Sequence, residues 1–300
     1  MPWKLLHRSL ALGLGLLVVV LALTGWVLAL EPLRSHATQF AQTTANSPGP
    51  ALSLPALAQQ VQQTIPGVEA LRRQPAGTLV VYAFDGEQAQ AWRIHPASAQ
   101  VLGPYQPSLL PRWVKNLHRQ LLLGDAGRWL AASAAAALLV LSLSGWALLL
   151  RRMGGWRRLY GPVPGSALQR LHVQWGRWGV PLLVISSAAA LVLAAATQGW
   201  LETEPSLEAA EPLSTVQGSP LPPQALSALH AYRVQDLEVL RFPSADDAAQ
   251  SWEIRTQQGH GWIDRYNGKL LAWEATGTSQ WLYRWARWLH TGEASWLWAL

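Results

Sequence analysis

Four histidines stand where hydrophobic segments begin: His7 in LLHR, His118 in NLHR, His172 in RLHV and His290 in WLHT. An ionisable ring at a membrane boundary is costly to keep without a task, so each marks a candidate site. Neutral imidazole is a good iron ligand, and two imidazoles fill both axial positions of a haem. Four rings at matching positions therefore suggest two bis-histidine haems inside a helical bundle. No CxxCH sequence is present, which excludes ordinary c-type attachment, and haem b is the expected group. The chain has no cysteine at all, so disulfides, thiolate-ligated iron–sulfur clusters and a cysteine nucleophile are excluded too.

The elements that must position these rings are membrane spans. Ser9–Leu30, Trp129–Leu150 and Val180–Leu201 carry no charge, and each is long enough to cross a bilayer. A final SWLWAL after Glu293 reads as the opening of a fourth span that the chain does not complete. Half of all residues are hydrophobic and 13% are charged, which argues for a membrane protein. The net charge of +6 does not indicate a nucleic-acid binder, because the basic residues gather beside the spans. Lys4 and Arg8 precede the first span. Arg151, Arg152, Arg157, Arg158, Arg170 and Arg177 lie between the second and third. The positive-inside rule puts the N-terminus and residues 151–177 in the cytoplasm, with 32–127 and 202–289 outside. The first span is read as an uncleaved anchor. Many of the 18 tryptophans flank the spans, as interfacial anchors do.

The chain reads as duplicated. Leu23-Thr24-Gly25-Trp26, Leu143-Ser144-Gly145-Trp146 and Thr197-Gln198-Gly199-Trp200 close the three spans, and His118 precedes Gly145 at the same spacing as His172 precedes Gly199. The segments outside repeat as well. Leu54–Thr64 and Pro222–Tyr232 are helix-like, each preceded by a Pro/Ser/Gly-rich linker, 43–53 and 212–223. Leu79–Phe84, Ala91–Ile94 and Gln100–Leu102 read as strands, followed in the second copy by Leu237–Phe242, Trp252–Thr256 and the hairpin Trp262–Leu271.

These outside modules resemble PepSY domains, whose last hairpin carries a strand–Asp–x–x–x–Gly–x–hydrophobic signature. Ile263-Asp264-Arg265-Tyr266-Asn267-Gly268-Lys269-Leu270-Leu271 fits it. Ile94-His95-Pro96-Ala97-Ser98-Ala99-Gln100-Val101-Leu102 fits loosely, with His95 for the Asp and Ala99 for the Gly. With LHR at the first and second spans, the whole chain resembles the PepSY-associated transmembrane family. That resemblance implies kinship with iron-regulated inner-membrane proteins and ferric-siderophore reductases, some fused to a flavin reductase domain. Flavin and NADPH would then enter only through a partner or a C-terminal part.

The expected architecture is a membrane α-helical bundle, three full spans and the start of a fourth, with two extracytoplasmic α+β modules. The division reads 1–30 first span, 31–115 first module, 116–150 His-bearing segment and second span, 151–170 basic loop, 171–201 third span, 202–285 second module, 286–300 start of the fourth. Topology puts His7 and His172 at one membrane face and His118 and His290 at the other, separated by most of the ~30 Å apolar core. The expected pairs are His7 with His172 and His118 with His290.

The function this implies is electron transfer from a cytoplasmic reductase or quinol to a periplasmic ferric chelate docked between the modules. The alternative is a non-redox membrane protein that binds peptides or restrains a protease, with a transporter or assembly accessory as a third reading. Arg119, Arg128, Arg170 and Arg177 are candidates for haem propionates, the last two better explained as topology-setting charge. Gly13, Gly15, Gly124, Gly127, Gly176 and Gly179 are candidates for close approach of a helix or porphyrin. His95, His230 and His260 are the other histidines with a claim on an external substrate. Glu202, Glu204, Glu208 and Glu211 read as a solvated linker.

Overall fold

The computed structural model describes residues 2–45, 52–74, 77–86, 88–106, 109–163, 165–203 and 211–291, with side chains of the first helix described over 4–30. The chain divides into two compact units. One holds residues 1–31, 108–203 and 279–300; the other holds 32–107 and 204–278.

The first unit is helical. Helix α1 (Pro2–Ala45) contains the apolar stretch Lys4–Leu30, and α4 (Gly124–Met153) and α5 (Ala167–Thr197) are the other two helices long and apolar enough to span a membrane. Helix α1 buries none of its apolar window, so its side chains present a hydrocarbon-like surface outward. Helices α4 and α5 pack on each other, and a small cluster of Leu149, Met153 and Leu159 closes their shared end. Helix α4 stops at Gly154, whose φ of 76° lets the chain turn in the left-handed region. Helix α5 starts at Ser166, whose hydroxyl accepts from the Gln169 N–H at 3.4 Å.

Two amphipathic helices complete this unit. Helix α3 (Leu109–Gln120) exposes Leu109, Leu110 and Trp113 and carries Arg112, Lys115 and Arg119. Helix α6 (Thr278–His290) exposes Trp281, Leu282 and Trp285 and carries Arg284 and Arg287. Basic residues beside exposed Trp and Leu suit the bilayer interface. The sequence reading put a His-bearing segment and the second span together over 116–150 and the start of a fourth span over 286–300. Helix α3 is an element of its own before α4, α6 ends at His290, and SWLWAL lies outside the described residues. A sharp corner separates α3 from α4. Leu121 and Leu122 adopt φ of 50° and 59°, and a Cβ on Gly127 would fall 1.7 Å from the Gln120 carbonyl oxygen.

The second unit is one eight-stranded antiparallel sheet in the order β4-β3-β2-β1-β5-β6-β7-β8. The first half comprises β1 (Val68–Arg73), β2 (Leu79–Asp85), β3 (Gln88–Ile94) and β4 (Val101–Pro104). The second comprises β5 (Leu237–Arg241), β6 (Trp252–Thr256), β7 (Gly259–Ile263) and β8 (Leu270–Ala275). The halves join through β1 and β5, in the register Ala70 to Arg241, Leu71 to Leu240 and Arg72 to Val239. Helix α2 (Leu54–Thr64) covers the sheet with its apolar face. Leu57, Leu71, Leu79 and Ile94 of the first half share one core with Leu226, Leu240, Ile254 and Ile263 of the second.

Two modules with a docking cleft between them were expected. Their junction is instead hydrogen-bonded backbone over a common core. Strand β1 escaped the sequence reading because half of Val68-Glu69-Ala70-Leu71-Arg72-Arg73 is charged and only Leu71 is fully buried. The helix expected over 222–232 is a series of 3₁₀ turns, Pro223–Ala225 and Ser227–Ala231. The hairpin glycine explains this departure. The Ser227 hydroxyl and the Ala228 N–H both donate to the Gly268 carbonyl at 3.0 Å, which fixes that backbone to the β7–β8 turn.

The hairpin signature is a buried turn. Asp264 Oδ1 accepts from the Tyr266 and Asn267 N–H groups at 2.7 and 3.1 Å, and Oδ2 accepts from Thr215 at 3.1 Å. Gly268 follows with φ of 71°. In the first half the same turn is built from different residues. His95 Nδ1 lies 3.3 Å from the Ala97 N–H and 3.2 Å from the Ser98 hydroxyl, and Ala99 takes the glycine's place with φ of 54°. The loose sequence match is thus a close structural one.

Three outcomes follow. Ala99→Gly removes a left-handed strain of about 1 kcal/mol and is expected to raise the thermal midpoint of the detergent-solubilised chain; a lowered midpoint refutes the strain. Burial alone would raise the Asp264 carboxyl, but its backbone N–H donors outweigh burial and hold it below the ordinary range. Its stabilisation is therefore complete above the ordinary Asp value of about 3.9 and is lost as pH falls through the depressed one. Asp264→Asn should cost about 1–3 kcal/mol at neutral pH and flatten the acid limb of a stability–pH curve; an unchanged acid limb contradicts this. Gly127→Ala should disrupt the α3–α4 corner, seen as loss of monodisperse protein on size exclusion.

Candidate functional site

The spans place three of the four histidines by the same device. His118, on α3, lies against the last turns of α1's apolar stretch: its Nδ1 is 3.0 Å from the Leu21 carbonyl oxygen and 3.0 Å from Thr24 Oγ1. His7, on α1, places Nδ1 3.0 Å from Ser144 Oγ on α4. His290, on α6, places Nδ1 3.1 Å from the Ser186 carbonyl oxygen on α5, with the Ser186 hydroxyl 3.4 Å away.

These partners decide the tautomer. A carbonyl oxygen only accepts, so Nδ1 of His118 and of His290 carries the hydrogen. Ser144 donates its own hydroxyl hydrogen to the Leu141 carbonyl at 3.1 Å, so it accepts from His7 Nδ1 as well. In all three rings the lone pair is therefore on Nε2. That is the nitrogen a metal would take, with Nδ1–H fixed by a second partner that orients the ring.

Glycine makes the close approach possible. A Cβ on Gly25 would stand 3.0 Å from His118 Cε1, and one on Gly145 would stand 3.2 Å from His7 Cε1. The Thr24-Gly25 and Ser144-Gly145 pairs read as span-end repeats are therefore cradles. The hydroxyl anchors the ring and the glycine admits it. The third repeat does not follow suit. Gly199 lies past the end of α5 with φ of 75° and contacts no histidine. Ser186, in the middle of α5, supplies the anchor for His290 instead. Sequence reasoning registered the Thr/Ser-Gly pairs but missed their partners, because each cradle and its ring lie on different helices.

The pairing of rings is as follows. His118 and His290 stand with ring centroids 5.8 Å apart and planes tilted by 36°. Two imidazoles on opposite faces of one iron have centroids about 6 Å apart, given metal–nitrogen bonds of about 2 Å. His172 is near enough to His7 for their charges to interact. Its own ring is exposed and makes no hydrogen bond with the described residues. His290 is well anchored; His172 is the loose one. On α1, His7 and Thr24 are about 25 Å apart along the helix axis, so the two pairs occupy opposite ends of the bundle.

The His118–His290 pair is a donor set that a haem could use. Among the described residues no group of three or more His, Asp or Glu side chains converges on one point. A haem iron takes only its two axial ligands from protein. Gly13, Gly15, Gly176 and Gly179 face open space, whereas Gly127 serves the α3–α4 corner. Arg119 and Arg128 line one polar cavity with Asn116, Gln120 and Thr197. Arg177 is buried and donates to the Gly161 carbonyl at 2.6 Å, so it holds the α4–α5 connection.

The other histidines divide. His95 and His260 are buried, so the expectation that they touch an external substrate is withdrawn. His95 builds the first hairpin turn. His260 Nε2 sits 2.8 Å from Glu253 Oε1, beside Arg241 at 2.8 Å from the other carboxylate oxygen. Burial opposes ionisation of Glu253, but contact with His260, Arg241 and Arg255 outweighs it and lowers its pKa. His230 is exposed, with Nε2 3.0 Å from the Gln224 carbonyl oxygen. The side chain of His36 and residues Glu204 and Glu208 lie outside those described.

No curated protein matches this chain. The family model for the PepSY-associated TM region matches residues 4–300, almost end to end, and the chain belongs to that family.

Proposed function

We propose that the protein carries electrons across the bacterial inner membrane through two haem b groups, one held by His7 and His172, the other by His118 and His290. A cytoplasmic reductase or a quinol supplies the electrons at the His7 face. At the His118 face each ferric ion of an oxygen-liganded chelate, a siderophore, takes one electron and leaves as Fe(II). The reduced ion binds hard oxygen donors less strongly, which releases it for uptake. In this topology the N-terminus is cytoplasmic and the sheet unit periplasmic.

The observation that carries the reading is the His118–His290 pair: two rings 5.8 Å apart, each with Nδ1–H committed to a backbone carbonyl and Nε2 left as a lone pair. Bound haem would supply reversible one-electron exchange at a potential set by its ligands and surroundings. The chain's own part is positional. Leu21 and Ser186 fix ring orientation, Gly25 and Gly145 admit the rings between helices, and the apolar spans exclude water from the path.

The test is an absorption spectrum of the detergent-solubilised chain, oxidised and then reduced with dithionite. Sharp α and β bands and two haems per chain are expected. His118→Ala and His290→Ala should each remove the same haem, about half of the total. His7→Ala should remove the other, and Gly145→Leu should copy His7→Ala by displacing that ring. A chain of native helix content with no Soret band would end the proposal and favour the peptide-binding alternative.

A further inference from the structure

A polar cavity of about 210 Å³ lies between α3, α4 and α5, lined by Asn116, Arg119, Gln120, Arg128 and Thr197. Asn116, Arg119 and Gln120 share one face of α3, at the three- and four-residue spacing of helical neighbours. His118 faces elsewhere, toward Leu21 and Thr24 of α1. The cavity therefore opens from a different side of α3 than the imidazole pair.

Its chemistry is that of an oxyanion site. Arg119 makes no hydrogen bond or ion pair with the described residues. Arg128 gives one nitrogen to exposed Asp125 at 2.9 Å and keeps the rest of its guanidinium fork. The Asn116 and Gln120 amides add neutral donors. Thr197 Oγ1 donates to the Ala194 carbonyl at 2.8 Å, so it closes the wall without pointing its hydrogen inward. Positive charge is crowded nearby. Burial, and then repulsion from Arg119 and Arg287, hold the Lys115 ammonium below its ordinary range. An anion between the guanidiniums would relieve that repulsion.

The level of the cavity indicates where its anion comes from. Arg128 lies in the opening turns of α4 and Thr197 is the last residue of α5, so both mark the same end of the bundle. Trp129, next to Arg128, and Trp200, three residues past Thr197, stand with rings 5.4 Å apart. Paired tryptophans at span ends mark the interface where phospholipid headgroups lie. Arginine forks match phosphate oxygens in bidentate fashion.

We propose that Arg119 and Arg128, with Asn116 and Gln120, clamp a phosphate group, and that its source is the headgroup of an anionic phospholipid in the leaflet at the His118 end. The site is independent of the haem reading and stands or falls separately.

The experiment is native mass spectrometry of the full chain in detergent, titrated with phosphatidylglycerol and, separately, with inorganic phosphate. Phosphatidylglycerol should remain bound to the wild-type chain. R119Q/R128Q should weaken it at least about tenfold, while R112Q and R284Q leave it unchanged. T197L narrows the cavity without removing charge and should weaken it too, which covers the case in which the double variant fails to fold. Displacement of the lipid by millimolar inorganic phosphate would support the clamp and assign it a soluble source as well. Equal lipid retention by wild type, R119Q/R128Q and T197L would overturn the proposal. So would loss of haem with unchanged lipid binding in R119Q/R128Q, which would give the two arginines to a propionate.

Discussion

The hydrogen bond from histidine Nδ1 to an acceptor on a neighbouring span is the interaction on which the bundle depends. Helix α1 buries none of its apolar window, and in lipid its leucines gain nothing by leaving hydrocarbon for a neighbouring helix. Polar groups that need a partner are what join helices there. His7 to Ser144 ties one end of α1 to α4, and His118 to Leu21 and Thr24 ties the other to α3. The same bonds that fix the imidazoles also fix α1. Site and scaffold are therefore one construction, and a residue such as Gly145 belongs to both.

The sheet unit is built on a different principle. Its core is aqueous-type burial, with α2 laid over a continuous sheet and leucines, isoleucines and valines from both halves closing one interior. Its polar interior is satisfied locally: Asp264 by three N–H groups, Glu253 by cross-strand Arg241 and His260. The two hairpin turns are alike in role but not in residue. A histidine and a left-handed alanine do in one half what Asp264 and Gly268 do in the other.

Much of this was legible in the chain. The spans follow from uncharged runs, and α2 and β6 from local pattern. What was missed shares a physical cause: it depends on contacts between distant segments. Strand β1 is a strand because β2 and β5 flank it, not because Val68-Glu69-Ala70-Leu71-Arg72-Arg73 prefers to be one. The 222–232 segment is helix-like in composition, yet Gly268 holds it in 3₁₀ turns. Ser186 carries no local mark of its bond to His290, while Gly199, which carries the expected motif, only ends a helix.

The committed tautomer has an electrical consequence under the proposed function. In His7, His118 and His290 the Nδ1 hydrogen is held by a serine or carbonyl acceptor, and a ligated Nε2 has no room for another. Neither nitrogen can then take up a proton to accompany an arriving electron. An electron passed between the two levels would move most of the way across the apolar core as bare charge. The membrane potential acts on such a transfer at about 2.3 kcal/mol per 100 mV for a full crossing, so the driving force for reduction on the far side would depend on the energised state of the cell as well as on the potentials of donor and acceptor.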